Sequence, residues 1–435
     1  MGVNIPKRLS AAILNSLQAG VVPRVGLEYV AVGRKREIET VLNDLEIISQ
    51  AGAGFRIITG RYGSGKSFFL QAIRNFAMEK DFLVADADLS PEKRFSGSHS
   101  QGLETYRELM ERLSTNVRPQ GGALESMLQK WIIALKSDLV KEGASPSDET
   151  FDSKVEQKIF EALGEIESFA HGFDFAAAVS VYYKAYVEGD EKKKQASLRW
   201  LRGEYSTKTE ARVFLPVGEI ITDENWYEYI RLFAAFSGRI GYRGFLIFID
   251  ECVNLYKITN RQSREKNYEK LLAMFNDCLQ GKAENLGIFI TGTPQFLEDE
   301  RRGLASYAAL KSRIQDSRFA KEGYLDSGSP VLRLEQLNRE ELYILLERLL
   351  GIHSRHFEYE QSLGEKQLGE FLELVLSIPG ADEFLTPREI TRDFLGLLNI
   401  LKDDPYARFD DIIRQEEFFS YSNNKQESVY ADYEL

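Results

Sequence analysis

The chain has 435 residues, 43% hydrophobic and 28% charged, and a formal net charge of −12. This composition is typical of a globular protein long enough for two or three structural units. No apolar run reaches the about 18 residues that a membrane-spanning helix needs, and the first residues lack the apolar core of a signal peptide. We therefore expect a cytoplasmic protein without membrane association. The acidic net charge argues against non-specific coating of nucleic acid, but it is compatible with DNA binding through a local basic patch.

Taken in chain order, the sequence begins with an amphipathic helical pattern over 6–19. From about 95 to 243 helical spacing predominates, so this stretch is predicted to be a large helical insertion. Helical patterns also follow Asn338 and are predicted to form a C-terminal lid domain. Five apolar runs have the length and composition of buried strands, and they lie at 55–60, 82–90, 244–251, 286–294 and 330–337.

The alternation of strands and helices predicts an α/β fold with a five-stranded parallel sheet covered by helices on both faces. A glycine-rich loop follows the first strand, which is the context of a P-loop NTPase. The predicted division is a helical segment 1–27, an ATPase core 28–337 that contains the insertion, a helical lid 338–408 and a polar tail 409–435.

The segment GRYGSGKS at 60–67 fits the phosphate-loop pattern Gly-x-x-x-x-Gly-Lys-Ser/Thr. Its glycines let the backbone wrap a triphosphate with the N–H groups pointing inward, and the following helix adds a favourable dipole. Lys66 is predicted to neutralise the β- and γ-phosphates, and Ser67 to bind Mg²⁺. The alternative is a plain glycine-rich turn. The residues predicted to bind nucleotide here are Gly60, Arg61, Tyr62, Gly63, Ser64, Gly65, Lys66, Ser67 and Phe68.

Two carboxylates, Asp250 and Glu251, close the strand FLIFID. The pattern predicts that Asp250 holds Mg²⁺ and that Glu251 polarises the attacking water. The alternative is a strand that ends in solvent, with Glu251 as a helix-start charge. A second acid favours a hydrolase over a passive nucleotide binder.

Thr291 ends the next strand, where its hydroxyl is predicted to sense the γ-phosphate or orient water; Thr293 is the alternative. Either side chain would also suit a cap of the turn that follows. Arg313, after a further helical pattern, is a candidate arginine finger for a neighbouring subunit. A solvated arginine is the competing interpretation.

Arg388 follows Thr386-Pro387, a typical helix start, and is predicted to project from the lid toward the γ-phosphate. A surface arginine at the helix start is the alternative. Gly33 and Arg34 lie in a turn that is predicted to cover the adenine.

A basic patch with interleaved aromatics, Trp200 and Tyr205, lies in the predicted insertion. Phosphate contacts need such local charge, and aromatic rings can stack on bases. Charge runs are usually solvated faces of a protein. The alternative to nucleic-acid binding is therefore a solvated charged surface. The candidate residues are Lys192, Lys193, Lys194, Arg199 and Arg202.

The linked segments GRYGSGKSFFLQAIRNFA, VADADLSPEKRF, IDECVNLYKITNRQSREKNYEKLL and GTPQFLEDERRGLASYAALKSRI resemble the BrxD-type ATP-binding proteins of BREX phage-defence systems over essentially the whole chain. The broader kin are AAA+-type ATPases of the origin-recognition and STAND kind. This resemblance implies Gly33 and Arg34 near adenine, a Ser-Arg box at Ser312-Arg313 and a sensor arginine at Arg388. Ile314 stands where that box usually has Phe.

The resemblance implies ATP and Mg²⁺ as cofactors and a role in phage defence beside DNA and a helicase-like partner or other BREX proteins. Our first hypothesis is an ATPase that acts on or with DNA and assembles with copies of itself into a homo-oligomer when ATP is bound. The second is a nucleotide-controlled switch with little turnover that recruits protein partners. A small-molecule phosphotransferase is disfavoured, because no second-substrate pocket is signalled and the Asp-Glu pair suits attack by water.

Overall fold

The computed structural model describes residues 5–167, 169–315, 326–361, 363–377 and 386–413. They form an α/β structure around one five-stranded sheet in the order β2-β3-β4-β1-β5, and every pairing is parallel. The five-stranded parallel sheet is therefore confirmed. Its strands are β1 (Ala53–Thr59), β2 (Leu83–Asp88), β3 (Phe245–Asp250), β4 (Leu286–Gly292) and β5 (Val331–Arg333).

The central strands are buried on both sides, as continuous apolar runs predict. All seven residues of β4 are buried, and so are the first five of β3. β1 pairs with β4 along its whole length, from Ala53 opposite Leu286 to Thr59 opposite Gly292. Such strands have no solvent-facing side, which explains why their sequences do not alternate.

The predicted strand 330–337 is shorter in the structure, where β5 covers only Val331–Arg333. This edge strand pairs with β1 alone, and Arg333 lies opposite Thr59, the last residue of β1. Beyond that point the neighbouring strand has ended, so the ladder has no partner to continue with.

Helices make up most of the described chain. The region predicted to be a helical insertion contains α4 to α10, as its periodicity predicted. In chain order the helices are α1 (Lys7–Gln18), α2 (Lys35–Ser49), α3 (Lys66–Glu79), α4 (Gln101–Glu111), α5 (Leu124–Lys141), α6 (Phe151–Glu167), α7 (Gly172–Glu188), α8 (Glu191–Leu201), α9 (Lys208–Arg212), α10 (Trp226–Arg239), α11 (Val253–Tyr256), α12 (Arg261–Leu279), α13 (Pro294–Glu298), α14 (Ala308–Ile314), α15 (Arg339–Phe357), α16 (Glu365–Leu376), α17 (Pro387–Asp403) and α18 (Phe409–Ile413).

The chain divides into two compact units. The first comprises Met1–Lys35, Gly60–Ala72 and Leu334–Leu435, and the second Arg36–Thr59 and Ile73–Arg333. The domain boundaries given above from the sequence remain a prediction. Of the predicted tail, residues 414–435 lie outside the described residues.

The first unit has its own apolar core, built from one face of α1 and the inner faces of α15, α16 and α17. Leu346, Leu349 and Phe394 have none of their surface exposed. Asn338 caps α15 through a reciprocal pair of bonds with Glu341, at 2.9 Å each. Such a capping box satisfies two backbone groups that a helix start otherwise leaves without partners.

The second unit contains the sheet and the helical region, which share one continuous core. A buried ion pair ties α2 to β1, where the Arg56 guanidinium donates to both Asp44 carboxylate oxygens at 2.6 and 2.7 Å. Cys252 and Cys278 are both buried, and they are not joined by a disulfide. No helix among the described residues is long and apolar enough to cross a membrane.

Candidate nucleotide-binding site

The predicted phosphate loop leaves the carboxyl end of β1 and runs into α3, which begins at Lys66. Gly63 and Gly65 have φ values of +77° and +90°, a backbone conformation that glycine adopts without steric cost. The Lys66 ammonium donates to the carbonyls of Gly60 and Arg61, both at 2.9 Å. Lys66 therefore lies over the loop whose phosphate it is predicted to neutralise.

Two glycines of this loop admit no side chain. A β-carbon on Gly60 would come within 2.4 Å of the Ser64 hydroxyl oxygen and 2.6 Å of the Leu334 carbonyl oxygen. One on Gly63 would lie 2.1 Å from the Thr386 methyl. Ser64 is 2% exposed, and its hydroxyl has no hydrogen-bond partner in the part of the chain that the structure describes.

The loop is held in the first unit by the turn at Gly33 and Arg34. Both residues have left-handed φ values, +64° and +62°. From there Arg34 Nη2 donates to the Ser64 carbonyl at 3.0 Å and also to the Glu335 carbonyl. This side chain thus contacts the phosphate-loop backbone.

Arg388 reaches the same loop from the start of α17. It is the second residue of α17, and its Nη1 donates to the Tyr62 hydroxyl at 3.2 Å, with the guanidinium 5.8 Å from the ring centroid. Tyr62 itself is 73% exposed. The structure therefore brings Arg388 to the phosphate loop, where its contact to a γ-phosphate stays a prediction.

A second group of predicted residues lies in the sheet unit, at the carboxyl ends of β3 and β4. The Asp250 carboxylate accepts from the Thr291 hydroxyl and from the Glu251 backbone N–H, the latter at 2.8 Å. Glu251 is exposed and has φ +58°, an uncommon conformation for this residue. Thr291 is 1% exposed, and its hydroxyl donates to Asp250. Its contact with a γ-phosphate or with water stays a prediction.

Thr293 has the simpler role that the sequence left open. Its hydroxyl accepts from the Phe296 N–H at 3.3 Å and caps α13. The Arg313 side chain is held within the sheet unit, since its Nε donates to the Asn276 side chain at 3.0 Å and its Nη1 to the Ala309 carbonyl at 2.6 Å. Its action across a subunit interface stays a prediction.

A family model described as BREX system ATP-binding protein BrxC/D matches residues 5–417 of the chain. The chain belongs to this family. The resemblance drawn from the linked motifs is thereby confirmed. ATP is the nucleotide that the family description supports. Comparison with curated proteins finds no significant match.

In this BREX family member, sequence reasoning missed one acid at the edge of the sheet. Asp88 ends β2 and lies opposite Asp250 in the strand register. Its carboxylate accepts from Arg112 at 2.8 Å, and the same guanidinium contacts Asp86 at 3.2 Å. The signal was available in part, because Asp88 ends a predicted strand as Asp250 does, although Asp86 interrupts its apolar run.

Most of the basic patch lies beside carboxylates, and its contact with nucleic acid stays a prediction. Four of its residues have carboxylate partners: Lys193 with Asp190, Lys194 with Glu191 and Glu125, Arg199 with Glu210, and Arg202 with Glu204.

The two interleaved aromatics are also unsuited to base stacking. Trp200 and Tyr205 are only 1% and 2% exposed, and the Trp200 indole donates to the Glu219 carbonyl at 3.0 Å. The prediction that these rings stack on bases is therefore wrong. Trp200 belongs to the buried face of α8, and Tyr205 is buried in the segment between α8 and α9.

Proposed function

We propose that this chain is an ATPase of a phage-defence system, which binds Mg·ATP on the loop Gly60–Ser67 and hydrolyses it. The observation that carries the proposal is the glycine-dependent loop in a member of an ATP-binding family. Its two left-handed glycines and the lysine lying over it match what phosphate binding needs.

The strand order supports a ligand at the same edge. From β1 the chain continues to β2 on one side, whereas from the neighbouring β4 it continues to β5 on the other. Open parallel sheets bind ligands outside the carboxyl ends of strands where the connections diverge in this way. Thr59 and Gly292, which are register partners, mark that position.

The residue chemistry suits hydrolysis. Lys66 supplies a cation for the β- and γ-phosphates, and Ser67 and Asp250 supply the hydroxyl and carboxylate oxygens that Mg²⁺ prefers. Mg²⁺ would stabilise the charge that develops on the phosphoryl oxygens. Glu251, exposed beside Asp250, is the candidate base that polarises water, and Thr291 orients the Asp250 carboxylate.

The direct test compares Lys66→Ala and Glu251→Gln. We expect the first to lose ATP binding and the second to bind ATP but to lose at least about 100-fold in turnover, as is typical for a lost general base. Glu358→Gln is a matched control, since Glu358 is also exposed and left-handed, with φ +57°. Undiminished turnover in Glu251→Gln would refute the assigned role.

The contact between the lid and the loop favours the second hypothesis as an alternative. Thr386 and Arg388, at the start of α17, both lie against the phosphate loop. ATP binding would then change the lid and recruit a protein partner with little turnover. Function that survives Glu251→Gln but not Lys66→Ala distinguishes this switch from the ATPase.

The family resemblance supports four further proposals. They are action on DNA, a helicase-like or other BREX partner, ATP-dependent self-assembly and a cytoplasmic location. ATPase rates with and without DNA, together with sizing in ATP, test the first and third of these. The basic patch is not included in the proposed DNA contact, because four of its five basic side chains are paired with carboxylates.

A further inference from the structure

We propose that Arg34 is a positioning residue for the phosphate loop, which fixes the direction of the Ser64–Gly65 peptide, rather than a residue that contacts the base. This inference rests on the proposed nucleotide site. It replaces the expectation that Arg34 covers the adenine.

The first observation is the pair of acceptors. One nitrogen of Arg34, Nη2, donates to the Ser64 carbonyl at 3.0 Å and to the carbonyl of Glu335. A guanidinium nitrogen of this kind has two hydrogens, so it can serve both acceptors. It therefore joins the phosphate loop to the segment that precedes α15.

The second observation is that the backbone holds Arg34 in place. Its φ of +62° is unusual for a residue with a side chain and costs on the order of 1 kcal/mol. Gly33 before it approaches α15 so closely that a β-carbon would lie 2.3 Å from a Glu341 carboxylate oxygen. Because that carboxylate is engaged in the capping box with Asn338, it cannot easily move aside.

The consequence for the loop follows from peptide geometry. A trans peptide is planar, so its C=O and N–H point in opposite directions. When Arg34 holds the Ser64 carbonyl, the N–H of Gly65 is directed away from Arg34. Phosphate loops work by turning such N–H groups toward the ligand, so Arg34 sets an amide that the phosphates require.

The test measures Mg²⁺-dependent affinity of the full chain for ATP, GTP and inorganic tripolyphosphate, which has no base. We expect Arg34→Ala to weaken all three by about the same factor, on the order of tenfold, which corresponds to about 1.4 kcal/mol. Arg34→Lys keeps the charge but loses the planar fork, and we expect a smaller loss shared equally by the three ligands.

Lys7→Ala is the control, because it removes an exposed ion pair with Glu358 in the same unit. If Arg34→Ala weakens ATP but leaves tripolyphosphate unchanged, Arg34 contacts the base and the inference is wrong. Equal affinities of parent and both variants also overturn it. If Arg34→Ala does not fold, Arg34→Lys decides by the same comparison. Failure of the parent chain to bind ATP refutes the nucleotide site itself, which is a separate result.

Discussion

Gly63, whose added β-carbon would meet Thr386, gives a sharp prediction for the Gly63→Ala substitution. The substitution adds one methyl group at φ +77°, with the new carbon 2.1 Å from the Thr386 methyl and 2.3 Å from its β-carbon. Thr386 caps α17, where its hydroxyl accepts from the Glu389 N–H at 3.3 Å. The methyl group must therefore displace either the loop or the start of this helix.

Two contributions set the expected loss in the free energy of unfolding for Gly63→Ala. A left-handed alanine costs about 1–2 kcal/mol, and forcing a methyl group into a filled site costs typically about 1–3 kcal/mol more. Gly65→Ala isolates the first contribution, since Gly65 has φ +90° but no described neighbour within 4 Å of its β-carbon position. We expect Gly63→Ala to lower the free energy of unfolding by the larger amount and Gly65→Ala by about 1–2 kcal/mol.

The assay is chemical denaturation with amide hydrogen exchange at Glu389 as a local probe of the first turn of α17. A double-mutant cycle with Thr386→Gly removes the colliding atoms at a cost of only a few tenths of a kcal/mol to the cap. We expect a coupling of about 1–3 kcal/mol between the two sites. Equal costs for the two glycine variants, or an additive cycle, would show that α17 does not rest on the loop as described.

Two further predictions concern the sheet unit. Asp44→Ala leaves the buried Arg56 guanidinium without its bidentate partner, and we expect a loss of about 3–5 kcal/mol in the free energy of unfolding, measured in urea. A loss below about 1 kcal/mol would mean that the pair is solvated. Burial raises the pKa of the Cys278 thiol from 9.0 to about 12. Because the unfolded thiol releases its proton first, this group lowers stability as pH rises above about 9, and Cys278→Ala should show a shallower loss between pH 9 and 10.5 than the parent. Parallel pH profiles would contradict this.

Much of the sheet could be predicted because its strands are uninterrupted apolar runs. β3 and β4 are buried on both faces, and no alternation disguises them as surface strands. Their ends are set by local chemistry that the sequence displays only in part. β4 stops at Gly292 because Thr293 and Pro294 begin the next helix, whereas the predicted strand had extended to 294.

The contacts of the candidate site are harder to predict, since they depend on residues far apart in the chain. Arg34 meets Ser64 and Glu335 across separations of 30 and 301 residues, and no local pattern encodes such a meeting. Trp200 shows that even a residue in a clear local pattern can be misinterpreted from the sequence. Composition places it among basic residues, and only packing decides that the ring faces inward.

Arg112 gives the helical region a mechanical connection to the sheet. Arg112 directly follows α4 and forms an ion pair with Asp88, the register partner of Asp250. It also pairs with Glu108 of α4 at 2.6 Å. A partner that pulls on α4 would therefore exert its force one strand away from the proposed magnesium ligand.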